Sequence, residues 1–200
     1  WRSTGPSHEF SSPALVEDRL FLAPSCKVAA EVDIETQAVL WRSDQPCSSF
    51  GGRTPAVSHG VVFARGSQGT INRFGTEGGE FLGALSSTLM PAMDDQFIYT
   101  VNGNTVEAVE RETQLVAWTN TTSSPISLPP VVVNDSVFVA TNGGRISAFD
   151  RFTGARVWLN DAGIRINPPD EFSFATVLTG MSVGAGMLMV PVDNQIGRAS

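Results

Sequence analysis

A block of about forty residues recurs at least four times along this chain, and three copies close on a tryptophan: Trp41, Trp118 and Trp158. The clearest copy runs from Pro130 to Trp158 and reads PVVVNDSVFVATNGGRISAFDRFTGARVW. Phe21, Ile98 and Phe138 each stand 20 residues before their Trp, and Thr36, Thr113 and Thr153 each stand 5 before. Pro13 and Pro130 lie 28 before, whereas Pro91 is one residue out of phase. The second copy keeps Pro55, Phe63, Gly69, Ile71 and Phe74 but has Gly83 in the closing place. A fifth begins near Gly180, with Leu188 and Ile196 in the places of Phe138 and Ile146, and breaks off 8 residues short of a Trp.

Within a unit the apolar runs are short and β-branched or aromatic: Val131 to Val133, Val137 to Ala140, Arg145 to Phe149 and Ala155 to Trp158. Asn134-Asp135, Asn142-Gly143-Gly144 and Thr153-Gly154 separate them, and each supplies the positive-φ positions that tight hairpins need. No window sustains the i, i+3, i+4, i+7 spacing of an amphipathic helix. Four short antiparallel strands per unit make a propeller blade, and stacked blades bury what one blade cannot. A β-sandwich does not need Trp in register across three copies. The expected fold is therefore all-β, a β-propeller of four-stranded antiparallel blades. About five blades are visible over 1–200, with repeats at 13–43, 55–85, 89–119, 128–160 and 180–200.

These segments resemble the repeat of the pyrroloquinoline-quinone-like, or quinoprotein-like, β-propellers. In that repeat an apolar strand, a Gly-containing turn, an Ala-Phe/Leu-Asp strand and a Thr-Gly hairpin lead into a closing Trp, as in DSVFVATNGGRISAFDRFTGARVW. The likeness is strongest at 128–160, good at 13–43 and 89–119, and weak at 55–85 and 180–200. It implies that Trp41, Trp118 and Trp158 dock neighbouring blades. Trp1 stands in the phase of a closing Trp. Two readings of the ends follow: residues near Trp1 complete the last blade of a closed ring, or the chain is an interior piece of a larger propeller. The second is the expectation favoured, because members of the family usually have more than five blades.

Composition narrows the partners. The net charge is −7, Lys27 is the sole lysine and the arginines are scattered, so there is no basic stripe for nucleic acid. No run of 18 apolar residues offers a membrane span. Cys26 and Cys47 are compatible with a disulfide in an oxidising compartment and equally with two separate buried thiols. With only His8 and His59 to join them, they do not make a zinc site. Asn120-Thr121-Thr122 and Asn134-Asp135-Ser136 match the glycan acceptor pattern but are read as turns.

Few residues carry chemistry. His59 falls in a Ser-His-Gly turn, and nothing completes a nucleophilic triad around it. The carboxylate pairs Asp94-Asp95, Glu110 with Glu112, and Asp170-Glu171 sit at expected hairpins or linkers. The resemblance implies one alternative with chemistry, a fragment of a quinone-dependent alcohol or sugar dehydrogenase holding pyrroloquinoline quinone with calcium. The chain lacks the adjacent cysteines that cap the quinone in many such enzymes, and its Trp residues are taken up by the repeat.

The competing expectation is a non-catalytic scaffold without cofactor that grips other protein subunits through inter-blade loops, as in the outer-membrane assembly lipoproteins of the same family. That expectation places it outside the cytoplasm, in the periplasm or secreted, and in a membrane-associated complex. The linkers 43–54, 120–130 and 160–179 depart most from the repeat, and the last carries Phe172 and Phe174 as candidate partner contacts.

Overall fold

The computed structural model describes residues 12–25, 28–44, 54–66, 69–168 and 180–192. The chain forms two compact units, Trp1–Met90 and Pro91–Ser200. Each consists of antiparallel blades, and the described residues contain no helix.

In the first unit, β1 (Ala14–Val16), β2 (Arg19–Ser25), β3 (Val28–Asp33) and β4 (Val39–Asp44) form one sheet in sequence order. β5 (Ala56–Ser58), β6 (Val61–Arg65), β7 (Thr70–Gly75) and β8 (Phe81–Ser86) form the next. Phe21, Ala23, Ala29 and Trp41 of the first blade pack with Val62, Ala64 and Phe74 of the second in one buried cluster. Alternate residues of each strand thus meet the next blade, and two half-buried sheets make one core.

In the second unit, β9 (Ala92–Met93), β10 (Phe97–Asn102), β11 (Thr105–Glu110) and β12 (Val116–Thr121) form the third blade. The fourth is β13 (Val131–Val133), β14 (Ser136–Ala140), β15 (Arg145–Asp150) and β16 (Arg156–Asp161). Of a fifth, the described residues hold the hairpin β17 (Ser182–Gly184) and β18 (Met187–Met189). Leu128, Ala140, Ile146, Ile166 and Met181 form a buried cluster against which Val131, Phe138, Leu188, Val190 and Val192 pack. The linker at 120–130 and the described part of the next, 160–168, are therefore not wholly free loops: Leu128 and Ile166 anchor them in the core.

The strand registers revise one equivalence drawn from spacing. Ala14 faces Phe21 and Val131 faces Phe138, and in the third blade the same place is taken by Tyr99, opposite Ala92. Ile98, 20 residues before its Trp, is one position off. The β10–β11 connection accounts for it: Phe97 pairs with Glu110, 13 residues on, whereas Ser136 pairs with Asp150, 14 on. A hairpin one residue shorter displaces everything upstream of it, which also explains the displaced phase of Pro91.

The first-to-second-strand turns divide the same way. Glu17, His59, Asn134 and Ala185 occupy one turn position with φ of 55°, 48°, 50° and 50°. In the third blade Asp94 precedes the turn instead, and its Oδ1 accepts from the Gln96 and Phe97 amides at 2.8 and 2.7 Å. His59 is thus a turn residue, with its Nδ1 2.8 Å from Ser58 Oγ.

Candidate functional site: the closing strands and the hairpins they meet

Each blade ends on a hairpin that leads from the third strand into the closing strand. Asp33 and Asp150 brace it: Oδ1 accepts from the Thr36 amide (2.6 Å) and hydroxyl (2.7 Å), and from the Thr153 amide (2.8 Å) and hydroxyl (2.9 Å). These hydrogen bonds hold both carboxyls below the ordinary range. In the third blade Thr113 donates to Glu110 Oε2 at 2.7 Å. The threonine 5 residues before each Trp is this brace.

Past the turn, every closing strand carries a register shift beside the Trp place, between Glu31 and Val32, Asn72 and Phe74, Ala108 and Val109, and Ala148 and Phe149 of the partner strands. A β-bulge re-aims the neighbouring side chain out of the pleat. Trp41 and Trp118 each turn onto the following blade of their own unit. Trp41 Nε1 donates to Thr76 O at 3.0 Å, and Trp118 Nε1 to Arg151 O at 2.8 Å. The indoles lie between a ring of their own blade and one of the next: Phe21 (6.4 Å) and Phe74 (6.3 Å) for Trp41, Tyr99 (6.0 Å) and Phe149 (6.3 Å) for Trp118.

Closeness is possible because glycine faces each indole. Gly79 and Gly154 have φ of 71° and 72°, and a Cβ at Gly154 would stand 2.8 Å from Trp118 Cδ2; one at Gly79 would run into the Trp41 ring. Asn120, two residues past Trp118, adds a second grip, its Nδ2 donating to Gly154 O at 2.5 Å. Asn120 is thus engaged between blades and is not an open glycan acceptor.

The two contacts differ in their electrostatics. Opposite Trp41 stands Glu31, fully buried, where the third and fourth blades have Ala108 and Ala148. Glu31 Oε2 accepts from Trp41 Nε1 at 2.7 Å, and Arg19 reaches both carboxylate oxygens. Arg19 also bonds Thr76 O and Glu77. The Glu31 and Glu77 carboxylates hold the guanidinium charged. A buried carboxylate left without this partner would be costly, so Arg19, Glu31 and Trp41 form one latch across the first two blades.

In the second unit the corresponding polar centre is Asp94. Its Oδ2 accepts from Tyr99 Oη at 2.7 Å and from Arg151 Nη1 at 3.1 Å. Burial alone would raise this carboxyl, but hydrogen bonds from Tyr99, the Phe97 and Gln96 amides and Arg151 outweigh it and hold it below the ordinary range. Burial, then the Asp94 carboxylate, push the Tyr99 hydroxyl far up.

Trp158 stands apart. Its ring packs on Phe138 at 6.3 Å, as Trp41 does on Phe21, yet it is 43% exposed where Trp41 and Trp118 are 8% exposed. Every residue of β16 is exposed, whereas β4 and β12 each bury their Trp alone. An open groove of about 390 Å³ lies against this face, lined among others by Phe138, Val157, Trp158, Val183 and Met187.

Trp1, Cys26, Cys47, Phe172 and Phe174 lie outside the described residues, as do His8, Asp170 and Glu171. Glu110 and Glu112 line an open polar groove of about 300 Å³ with Asp95, Gln96, Arg111 and Thr113. Among the described residues no three His, Cys, Asp or Glu side chains are grouped to hold a metal ion. No helix among them is long and apolar enough to cross a membrane. Spacing alone did not mark Glu31, Tyr99 or Gly79, and it marked Gly154 only as a turn residue; both hairpins that face a Trp carry a Phe 5 residues before a positive-φ Gly, Phe74–Gly79 and Phe149–Gly154.

Solved structures share this fold. BamB from Moraxella catarrhalis superposes with a TM-score of 0.59 at 17% identity, covering 72% of this chain and 50% of that one. Sqt1 from Saccharomyces cerevisiae gives 0.62 at 12% identity, covering 75% and 48%. A chain of the mitotic checkpoint complex gives 0.62 at 15% identity, covering 74% and 49%. The chain thus spans about half the length of the solved structures it matches. No curated protein gives a significant match. The family model for the outer membrane protein assembly factor BamB matches residues 80–189, more than half of the chain. With its blades and its closing tryptophans, the chain belongs to that family of β-propellers.

Proposed function

We infer that this chain serves as a non-catalytic interaction scaffold, one part of a propeller that holds other proteins in a membrane-associated assembly outside the cytoplasm. The observation that carries the reading is the match of residues 80–189 to the outer-membrane assembly factor family. The physical chemistry agrees with it. Buried latches tie blade to blade: Trp41 with Glu31 and Arg19 in one unit, Trp118 with Tyr99, Asp94 and Arg151 in the other. Such rigid blades hold their connecting loops in fixed positions, and a partner that docks on preset loops avoids the ordering cost of flexible ones. One of the matched solved structures is itself a complex, the mitotic checkpoint complex.

The test is native mass spectrometry of the particle purified from its own source. A particle whose mass includes this chain with other polypeptides supports the scaffold. A mass increment matching a quinone with calcium overturns it in favour of a dehydrogenase fragment.

A further inference from the structure

Asparagine is followed by glycine twice in this chain, at Asn102-Gly103 and at Asn142-Gly143. Such a pair carries its own electrophile and nucleophile: the side-chain amide carbon and the next backbone nitrogen, with no Cβ on the glycine to hinder their approach. The two atoms meet only if the peptide between them can rotate. On that point the two pairs differ.

Asn102 is held. It ends β10 opposite Thr105 in the β10–β11 ladder. The linker that follows the blade straps its turn: the Ile126 N–H donates to Gly103 O at 2.9 Å, and the Thr122 N–H and hydroxyl donate to Asn104 O at 2.8 and 3.0 Å.

Asn142 lies past the end of β14, in the turn that returns into β15. Its N–H donates to Pro125 O at 2.9 Å, and the Gly144 N–H closes the turn on Thr141 O at 3.0 Å. Between these anchors no hydrogen bond among the described residues takes the Asn142 carbonyl, the Asn142 side-chain amide or the Gly143 N–H. Asn142 is half-buried and Gly143 exposed, so water reaches the pair. The same linker that leaves it loose also favours glycine after the asparagine. A Cβ at position 143 would stand 2.9 Å from Ser124 Oγ.

We propose that Asn142 is a site of spontaneous deamidation and isoaspartate formation, and that Asn102 is protected by its strap. Gly143 N loses its proton to solvent base and attacks Asn142 Cγ; the Cγ–Nδ2 bond breaks, and the nitrogen takes up a proton from water and leaves as ammonia. Water then opens the cyclic imide at either carbonyl. Opening at Cγ gives aspartate. Opening at the backbone carbonyl gives isoaspartate, whose main chain runs through Cγ. Both products add a negative charge to the turn, and isoaspartate also adds one main-chain atom between the residue-142 and Gly144 amides. Those amides hold Pro125 O and Thr141 O, so the longer link loosens the linker where it crosses the turn. The chemistry needs no partner, metal or enzyme and stands whether or not the chain is a scaffold.

The test follows the folded chain at mildly alkaline pH by peptide mass spectrometry, with electron-transfer fragmentation to separate aspartate from isoaspartate. The urea-unfolded chain is the reference, and there the two pairs are expected to convert at similar rates. In the folded chain Asn142 is expected to convert roughly tenfold faster than Asn102 or more, the worth of about one hydrogen bond on the barrier. Its rate is expected to rise with pH, because the attacking nitrogen must lose a proton. Asn142→Gln is expected to abolish conversion at that position and leave the rate at Asn102 unchanged. Hydrogen exchange reads the consequence: the Gly144 amide is expected to exchange faster in the isoaspartate form than in Asn142→Asp, which carries the charge without the extra atom. Equal rates at the two asparagines of the folded chain overturn the proposal. So does an Asn142 that keeps its amide over a period in which the unfolded chain loses it, and equal Gly144 exchange in the two acidic forms overturns the loosening.

Discussion

Replacing Gly154 by alanine isolates what the Trp118 contact contributes to the second unit. The added Cβ would stand 2.8 to 2.9 Å from Trp118 Cδ2, Cε3 and Cγ, so the indole must leave its seat. Trp158, which no closing-strand hairpin among the described residues faces, is 43% exposed against 8% for Trp118. A tryptophan buries up to about 250 Å², so that change returns roughly 90 Å² to water, about 2 kcal/mol at ~25 cal/mol per Å². Loss of the 2.8 Å bond to Arg151 O adds about 1 kcal/mol, and alanine at φ 72° about 1 more. The expected loss is about 4 kcal/mol, read from urea unfolding followed by circular dichroism with unchanged slope. Gly163→Ala is the control: φ is 67° there and nothing lies within 4 Å of the added Cβ, so only the backbone cost of about 1 kcal/mol remains. A Gly154→Ala loss no larger than that of Gly163→Ala would refute the indole-seat account.

Three further outcomes follow from the polar latches. Glu31→Ala, which takes the buried partner from Arg19 and removes one acceptor of Trp41, is expected to cost about 3 kcal/mol in thermal or urea unfolding, and the double change to Glu31→Met with Arg19→Met to recover most of it. Tyr99→Phe removes the bond to the ionised Asp94 and is expected to cost about 1.5 to 2 kcal/mol without loss of the blade's circular dichroism. Because the folded Asp94 carboxyl titrates below its ordinary value of 3.8, its stabilisation is complete above that pH and is lost as the pH falls through the lower folded value. Asp94→Asn should therefore lower the melting temperature at pH 7, with the gap to the parent chain closing below pH 4; a gap that stays constant to pH 2 would count against it.

Much of the architecture is legible in local pattern. The threonine 5 residues before each Trp is a side-chain brace on a turn, and such short-range hydrogen bonds repeat whenever the sequence repeats. Counting from the Trp goes wrong where the chain length between anchors changes. One residue fewer in the β10–β11 hairpin moves Tyr99, rather than Ile98, into the place of Phe21 and Phe138, and moves Asp94 ahead of its turn. The pairing of strands, not the count along the chain, sets which residue faces the next blade.

Asn120 shows the same boundary from the side of function. Its triplet reads as an acceptor or a turn, yet its amide is spent on Gly154 of the neighbouring blade, 34 residues on. Glu31 looks like any strand carboxylate until Arg19 and Trp41 are seen to converge on it.

The sequence by itself determined the blade: four short strands, tight turns and a closing Trp follow from alternation, turn chemistry and period, all of which act within about forty residues. Only the tertiary structure decided what each Trp does. Trp41 and Trp118 have the same local sequence logic as Trp158, but they are seated by a Phe and a Gly more than 30 residues downstream, on another sheet. Burial depends on which surface arrives opposite, and that is a property of packing between blades rather than of any one of them.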